Sequence, residues 1–297
     1  MKTETLAETP IHHSTLSDLL TLSKVRLNTL VVATAAGGYY MGAPGDVDPM
    51  AMLATCVGTA LVAGGASAIN QVQERDTDRL MERTRLRPLA DGRMTPAEGT
   101  YISFAMATAG ALILWFGTTG LAALVSLTTY AIYALVYTPL KRRSSLNTIV
   151  GAVPGALPPL IGWAASRGTL AGPAPWTLFL IMFLWQLPHF LSISWLYRAD
   201  YARAGLKMLS VVDTSGGMTG RQATLWAATL IVFSLLPAAV GLTYPYYGVG
   251  AFVLGTAQLV VATRFALKRS EANARALFYT SITYLPLLWT LMAFARR

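Results

Sequence analysis

Apolar residues run along this chain in long blocks separated by short polar stretches, and the length of the blocks is the first structural signal. A helix crossing a hydrocarbon core of ~30 Å needs about 20 mostly apolar residues. Blocks of that kind lie near 27–42, 50–71, 101–116, 121–140, 146–165, 176–196, 223–242, 247–266 and 277–293. The pattern predicts an all-α fold, a polytopic membrane helical bundle of about nine transmembrane helices. Residues 1–23 carry Glu4, Glu8, Asp18, His12 and His13 without an apolar block, and are expected to form a short soluble tail ahead of a single transmembrane domain, 24–297. That tail does not read as a secretory signal and is too acidic for a typical transit peptide, which favours a bacterial plasma membrane.

Composition fits the pattern. Of 297 residues, 54% are hydrophobic and 12% charged, where a soluble domain carries roughly 25% charged residues. The net charge of +9 would suggest nucleic-acid binding in a soluble protein. Here the positive residues sit between apolar blocks, so membrane orientation explains them and no nucleic-acid partner is expected. With the N-terminus inside, the inner segments hold Lys2, Lys24 and Arg26; Arg75, Arg79, Arg83, Arg85, Arg87 and Arg93; Lys141, Arg142 and Arg143; Arg198, Arg203, Lys207 and Arg221; and Arg264, Lys268, Arg269 and Arg275. These are 20 of the 23 basic residues, leaving only Arg167, Arg296 and Arg297 outside. The sorting supports nine spans and a cytoplasmic N-terminus together. The polar loops after the second and sixth spans then face the cytoplasm, so a central cavity open to that side is expected. Cys56 is the only cysteine and lies in an apolar block, which excludes an internal disulfide and a thiolate metal cluster.

Chemistry concentrates where the second span meets its inner loop. Asn70, Glu74 and Asp78 are spaced i, i+4, i+8 and share one helix face. Such a row of oxygen donors suits Mg²⁺, which takes one or two carboxylates and completes its shell with water and phosphate oxygens. Arg75, Arg79, Arg83 and Arg87 repeat at the same spacing, offset by one residue. An acidic row beside a basic row fits a metal-bridged diphosphate; it also fits a solvated helix laced with i,i+4 ion pairs. Polar groups at the end of an apolar block are costly and usually functional, which favours the first reading. Lys141 and Arg142, after Tyr137-Thr138-Pro139-Leu140, read either as membrane anchors or as further diphosphate ligands. In the sixth span, Trp185, Gln186 and His189 lie around Pro188, as packed core or as a substrate site. Asp200, flanked by Tyr197 and Tyr201, is placed to complete the cation site, and Pro154-Gly155-Ala156-Leu157-Pro158-Pro159 interrupts the fifth span, as a cavity wall or a simple kink.

With those residues in view, the chain resembles the UbiA superfamily of intramembrane prenyltransferases. The shared pattern is Asn70, Glu74 and Asp78 followed by Arg83-Thr84-Arg85-Leu86-Arg87-Pro88-Leu89. Within the superfamily it is similar to the branch of protoheme IX farnesyltransferases, or heme O synthases. That likeness rests on Glu74-Arg75-Asp76-Thr77-Asp78, Tyr137-Thr138-Pro139-Leu140-Lys141-Arg142, the proline-rich break of the fifth span, Trp185-Gln186-Leu187-Pro188-His189-Phe190, and Asp200-Tyr201 with Gly205 and Met208. It departs from the wider superfamily in having Glu74 where many relatives carry Asp, and tyrosines at 197 and 201 where others are acidic.

The resemblance implies transfer of a farnesyl group from farnesyl diphosphate to a vinyl group of heme B with addition of water, giving heme O. It implies Mg²⁺ as cofactor on Asn70, Glu74, Asp78 and Asp200; diphosphate binding by Arg75, Arg83, Arg87, Lys141 and Arg142; and heme binding by His189, Gln186 and Trp185. It implies a lipid-bilayer setting near heme A synthase or terminal oxidase assembly. Three other readings stay open on sequence: a UbiA-type enzyme acting on a quinone precursor or other aromatic acceptor, a membrane transporter, and a non-catalytic assembly factor.

Overall fold

The computed structural model describes residues 15–297, so residues 1–14 of the expected tail lie outside the described residues. Helix α1 (Thr15–Leu22) meets α2 (Val25–Gly42) at a 49° bend. Then come α3 (Pro49–Asp78), the short α4 (Pro88–Asp91), α5 (Pro96–Gly117) and α6 (Gly120–Ala131). A π-helical stretch, Ile132–Tyr137, links α6 to α7 (Thr138–Leu140). The fifth expected span is split into α8 (Asn147–Ala156) and α9 (Pro158–Arg167), and the sixth is α10 (Pro173–Leu196). Short helices α11 (Arg198–Arg203) and α12 (Leu209–Val212) form the second polar loop. The chain closes with α13 (Gly217–Ser234), α14 (Leu236–Ala239), α15 (Tyr246–Leu267) and α16 (Glu271–Phe294). Among the described residues, eight helical stretches are long and apolar enough to cross a membrane, or nine if the bent α1–α2 pair is one span.

The pieces begin and end where the sequence gives them caps. Asp48 starts α3, its Oδ1 accepting from the Met50 and Ala51 amides at 2.9 and 3.2 Å. Thr95 and Glu98 form a reciprocal capping box at the start of α5. Helices pack closely where side chains are small. At the crossing of α2 and α9, a Cβ on Gly162 would overlap the Ala35 carbonyl oxygen, and one on Gly38 the Pro159 carbonyl. Helices α8–α9 and α10 are the most buried of the spans, and α10 packs against α8, α13 and α16. Large apolar side chains such as Phe104, Trp115, Phe116 and Phe252 face outward, as expected where the surrounding solvent is hydrocarbon.

The two ends of the bundle differ in charge, in agreement with the sorting of basic residues. At one end Arg167 donates to the Gly42 carbonyl and Arg296 to the Ala43 carbonyl. The opposite end holds Lys24, Arg87 and Lys141 with the buried acids of α3.

Candidate active site

The C-terminal end of α3 carries the polar row predicted from spacing. Asn70, Glu74 and Asp78 are all buried, at 1%, 8% and 1% exposure, and each meets a cation of the chain itself. Lys24 Nζ donates to Asn70 Oδ1 at 2.7 Å, Lys141 Nζ lies 2.8 Å from Glu74 Oε1, and Arg87 donates to Asp78 Oδ2 at 2.7 Å. Lys24, Glu74, Asp78, Arg87 and Lys141 thus form one electrostatic cluster of two carboxylates and three basic side chains. Burial alone would pull the Lys141 ammonium down, but Glu74 outweighs it and holds Lys141 well above its ordinary pKa.

Local structure explains how each group arrives. Lys24 occupies the bend between α1 and α2, with φ 48 and ψ 47; it is the one non-glycine residue with positive φ among those described. A left-handed conformation costs a side-chain-bearing residue about 1–2 kcal/mol, and here it accompanies the bend that turns the ammonium onto Asn70. Gln71 fastens the same bend by donating to the Thr21 and Leu22 carbonyls at 3.1 and 2.9 Å. The π-helical stretch before Pro139 inserts an extra residue into the turn, and Thr138 Oγ1 donates to the Tyr133 carbonyl at 2.9 Å. That hydroxyl then accepts from Asn70 Nδ2 at 3.2 Å. Such π turns gather at functional sites. The Lys141 ammonium sits 4.6 Å from the centre of the Tyr137 ring.

The continuous arginine row is not observed. Helix α3 ends at Asp78, and residues 79–87 form a series of turns. Thr84 Oγ1 donates to the Asp78 carbonyl at 3.1 Å, satisfying a terminal acceptor. Pro88 biases the preceding Arg87 to an extended conformation, φ −65 and ψ 146. The four guanidinium groups therefore diverge. Arg75 is partly exposed beside Asp76 at 3.4 Å, Arg79 donates to the Ala90 carbonyl at 2.6 Å, Arg83 lies 5.4 Å over the Tyr197 ring, and Arg87 folds back to Asp78. Arg142 lines a cavity of about 290 Å³ shared with Gln73, Glu74, Thr138, Pro139, Arg143 and Leu206.

The second polar loop docks beside the first through Met81, which packs with Ala204, Leu206 and Met208. The Lys207 amide donates to the Lys141 carbonyl at 2.8 Å, and Asn147 Nδ2 to the Lys207 carbonyl at 2.9 Å. Asp200 pairs with Arg203 on its own helix, and no hydrogen bond or ion pair joins it to the α3 acids among the described residues. Farther into the bundle, His189 stacks between Trp185 and Phe278, at centroid distances of 5.1 and 5.2 Å. Trp185 Nε1 donates to the Ser281 carbonyl at 2.8 Å. Gln186 faces α8, donating to the Met182 carbonyl at 2.8 Å and the Ala152 carbonyl at 3.4 Å, and a side chain at Gly155 would collide with its amide. Trp185 and His189 therefore meet α16, while Gln186 meets the broken fifth span.

Sequence reasoning counted Lys24 only as an orientation charge, and nothing in its spacing marks it as part of this cluster. Ser281 went unremarked inside an apolar block.

The donor set can be tested against a divalent cation. Asp78 Oδ1 is buried and takes no hydrogen bond, which leaves a carboxylate oxygen in need of a positive partner. With Asn70 and Glu74 the donors are all oxygen, as a hard cation prefers. Among the described residues no cluster of three or more His, Cys, Asp or Glu side chains forms a complete protein cage. The residues fit Mg²⁺, which binds through few carboxylates and keeps positions for water and phosphate.

Comparison with known proteins agrees on fold and chemistry. The sequence model of the UbiA prenyltransferase family matches residues 30–288. A protoheme IX farnesyltransferase of Solibacter usitatus is 42% identical over 288 residues, covering 94% of this chain and 98% of that protein. Two solved structures share the fold. A digeranylgeranylglyceryl phosphate synthase superposes with a TM-score of 0.78 at 14% identity, covering 94% of this chain and 98% of that one. A UbiA homologue from Archaeoglobus fulgidus bound to GPP and Mg²⁺ superposes with a TM-score of 0.68 at 13% identity, covering 93% and 99%.

Proposed function

Since the chain belongs to the UbiA prenyltransferase family, we propose that its buried cation cluster holds the diphosphate of farnesyl diphosphate while the farnesyl group passes to a vinyl group of heme B, giving heme O. It is an integral membrane enzyme, an intramembrane prenyltransferase. One observation supports the assignment of the site: at a buried helix end Arg87 and Lys141 each pair with a carboxylate, and the Lys24 amine reaches Asn70 of the same row. Buried basic side chains that outnumber the acids beside them suit an anionic ligand.

Asn70, Glu74 and Asp78 would hold Mg²⁺, with Asp200 offered from the second polar loop. When bound, the metal supplies neutralisation of negative charge on the leaving diphosphate. The chain's own cations share that task. In this reading Lys141 and Arg87 exchange their carboxylates for phosphate oxygens, with Lys24 on Asn70 and Arg142 lining the cavity at Glu74 beside them, while Arg75 and Arg83 would leave Asp76 and the Tyr197 ring to join them. Preorganised positive groups of this kind favour the transition state, in which the C1–O bond breaks and charge builds on the diphosphate. The farnesyl cation left behind needs surroundings without water, which the apolar spans provide. The vinyl group forms the new C–C bond, water adds to the resulting porphyrin-side cation, and a proton is lost. No side-chain nucleophile is required. His189, Trp185 and Gln186 form the heme-binding group.

Residues 24–297 act as one prenyltransferase domain. The excess of basic residues at the site end supports an orientation with N-terminus and active-site cavity on the cytoplasmic side, and the bacterial source of the similar proteins supports a bacterial inner membrane. Delivery of heme O to heme A synthase or terminal oxidase assembly follows from the product. The deciding experiment is mass spectrometry of heme extracted after purified protein is incubated with heme B, Mg²⁺ and farnesyl diphosphate. The expected product has the mass of heme O. Unmodified heme B alone would overturn the proposal.

A further inference from the structure

The hydrogen bonds around His189 define which ring nitrogen is free. Ser281 Oγ lies 2.8 Å from His189 Nδ1 and 2.6 Å from the Phe278 carbonyl oxygen. A serine has one hydroxyl hydrogen, and a carbonyl oxygen can only accept. If Ser281 gave its hydrogen to the imidazole, two acceptor oxygens would face each other at 2.6 Å with nothing between them. Both contacts are satisfied only when Ser281 donates to Phe278 and His189 Nδ1–H donates to Ser281. The neutral ring then carries its lone pair on Nε2. Neutrality fits the setting, because no carboxylate among the described residues pairs with this ring inside the span.

The remaining geometry leaves one edge of the ring for a ligand. Trp185 and Phe278 cover the two faces, nearly parallel to it at 18° and 21°, and Phe190 lies beside the ring at 5.8 Å, tilted by 52°. Ser281 covers Nδ1. Nε2 has no hydrogen-bond partner and is not among the buried unpartnered atoms. Ser281 also accepts from Trp185 through its main-chain carbonyl, so a single residue of α16 fixes both aromatic side chains of α10.

We propose that Ser281 is a positioning residue that locks the His189 tautomer and presents Nε2 as the nitrogen that ligates the heme iron of the porphyrin acceptor. This rests on the heme reading of His189 given above, and it adds the atom and the residue that selects it. A hydrogen bond to the far nitrogen is the usual means by which proteins orient a ligating histidine, and its loss typically weakens metal affinity by 10–100-fold.

The test uses full-length protein in nanodiscs, with ¹⁵N-histidine NMR before heme and optical and EPR spectra after adding ferric heme b. Wild type should show protonated Nδ1 and unprotonated Nε2, and a heme spectrum with nitrogen ligation. Ser281→Ala should mix the tautomers and weaken heme binding about tenfold or more, and Ser281→Thr should restore both. A protonated Nε2 in wild type, or a Ser281→Ala protein with unchanged tautomer and heme affinity, would overturn the proposal. The heme reading has its own arm: if Nδ1 is protonated as stated but His189→Ala leaves the heme spectrum unchanged, Nε2 is not the iron ligand and the reading of His189 fails while the tautomer assignment stands.

Discussion

The two polar loops at the basic end of the bundle carry similar residues and put them to different use. In the first, Asp78 is 1% exposed and is reached by Arg87 from nine residues away. In the second, Asp200, 17% exposed, is paired with Arg203, three residues on, whose side chain is 57% exposed. An acid beside an arginine is thus a buried lock across the turns of one loop and a local, half-exposed pair in the other. Breaking a buried pair leaves a charge without a partner and costs about 3–5 kcal/mol, whereas exposed pairs contribute ~0–1 kcal/mol. Burial, and not the residue pair itself, sets the energetic weight of each site.

The sharpest way to break the comparison is Asp78→Ala. Turnover, read as heme O by mass spectrometry, should fall by at least about 100-fold, as for loss of a main electrostatic element of a reaction site. Detergent-extracted yield should persist, with thermal stability reduced through the stranded Arg87. Wild-type turnover in this variant would remove the first loop from the chemistry.

Next in size, Lys141→Met should weaken farnesyl diphosphate turnover by about 10–100-fold. Combined with Glu74→Gln it should cost less stability than the two single changes added, because the pair is one interaction. Strict additivity would show that Lys141 and Glu74 do not hold each other in the membrane.

His189→Ala separates the aromatic group from the charged one. Heme affinity should fall by about tenfold or more, with farnesyl diphosphate affinity unchanged. Equal loss of both would merge the two regions into one site.

The smallest effect is expected for Arg203→Gln, which removes only the half-exposed pair and should shift stability by less than ~1 kcal/mol. Asp200→Asn should reduce turnover by less than Asp78→Ala does. A loss as deep as that of Asp78→Ala would place the second loop on the same footing as the first.

Much of this architecture was legible without coordinates. Eight of the nine apolar blocks correspond to spanning helices, and the first, 27–42, to the bent α1–α2 pair, because membrane crossing imposes a length and an apolar composition that no other fold demands. Asn70, Glu74 and Asp78 could be placed on one face because helical periodicity is local. The proline-rich break of the fifth span appears at Leu157, between α8 and α9, for the same reason. The arginine row failed because helical spacing was extended past Asp78 into a segment where Thr84 and Pro88 end the helix.

Sequence alone therefore determined the membrane class, the span positions, the sorting of charge between the two ends and the oxygen row of α3, all of which follow from solvent and from short-range backbone geometry. Tertiary structure decided which cation meets which acid, that Lys24 crosses from the first span to Asn70, and that Ser281 reaches His189 across 92 residues. Those choices depend on how helices distant in sequence pack together, and a one-dimensional pattern of polar and apolar residues does not contain that information.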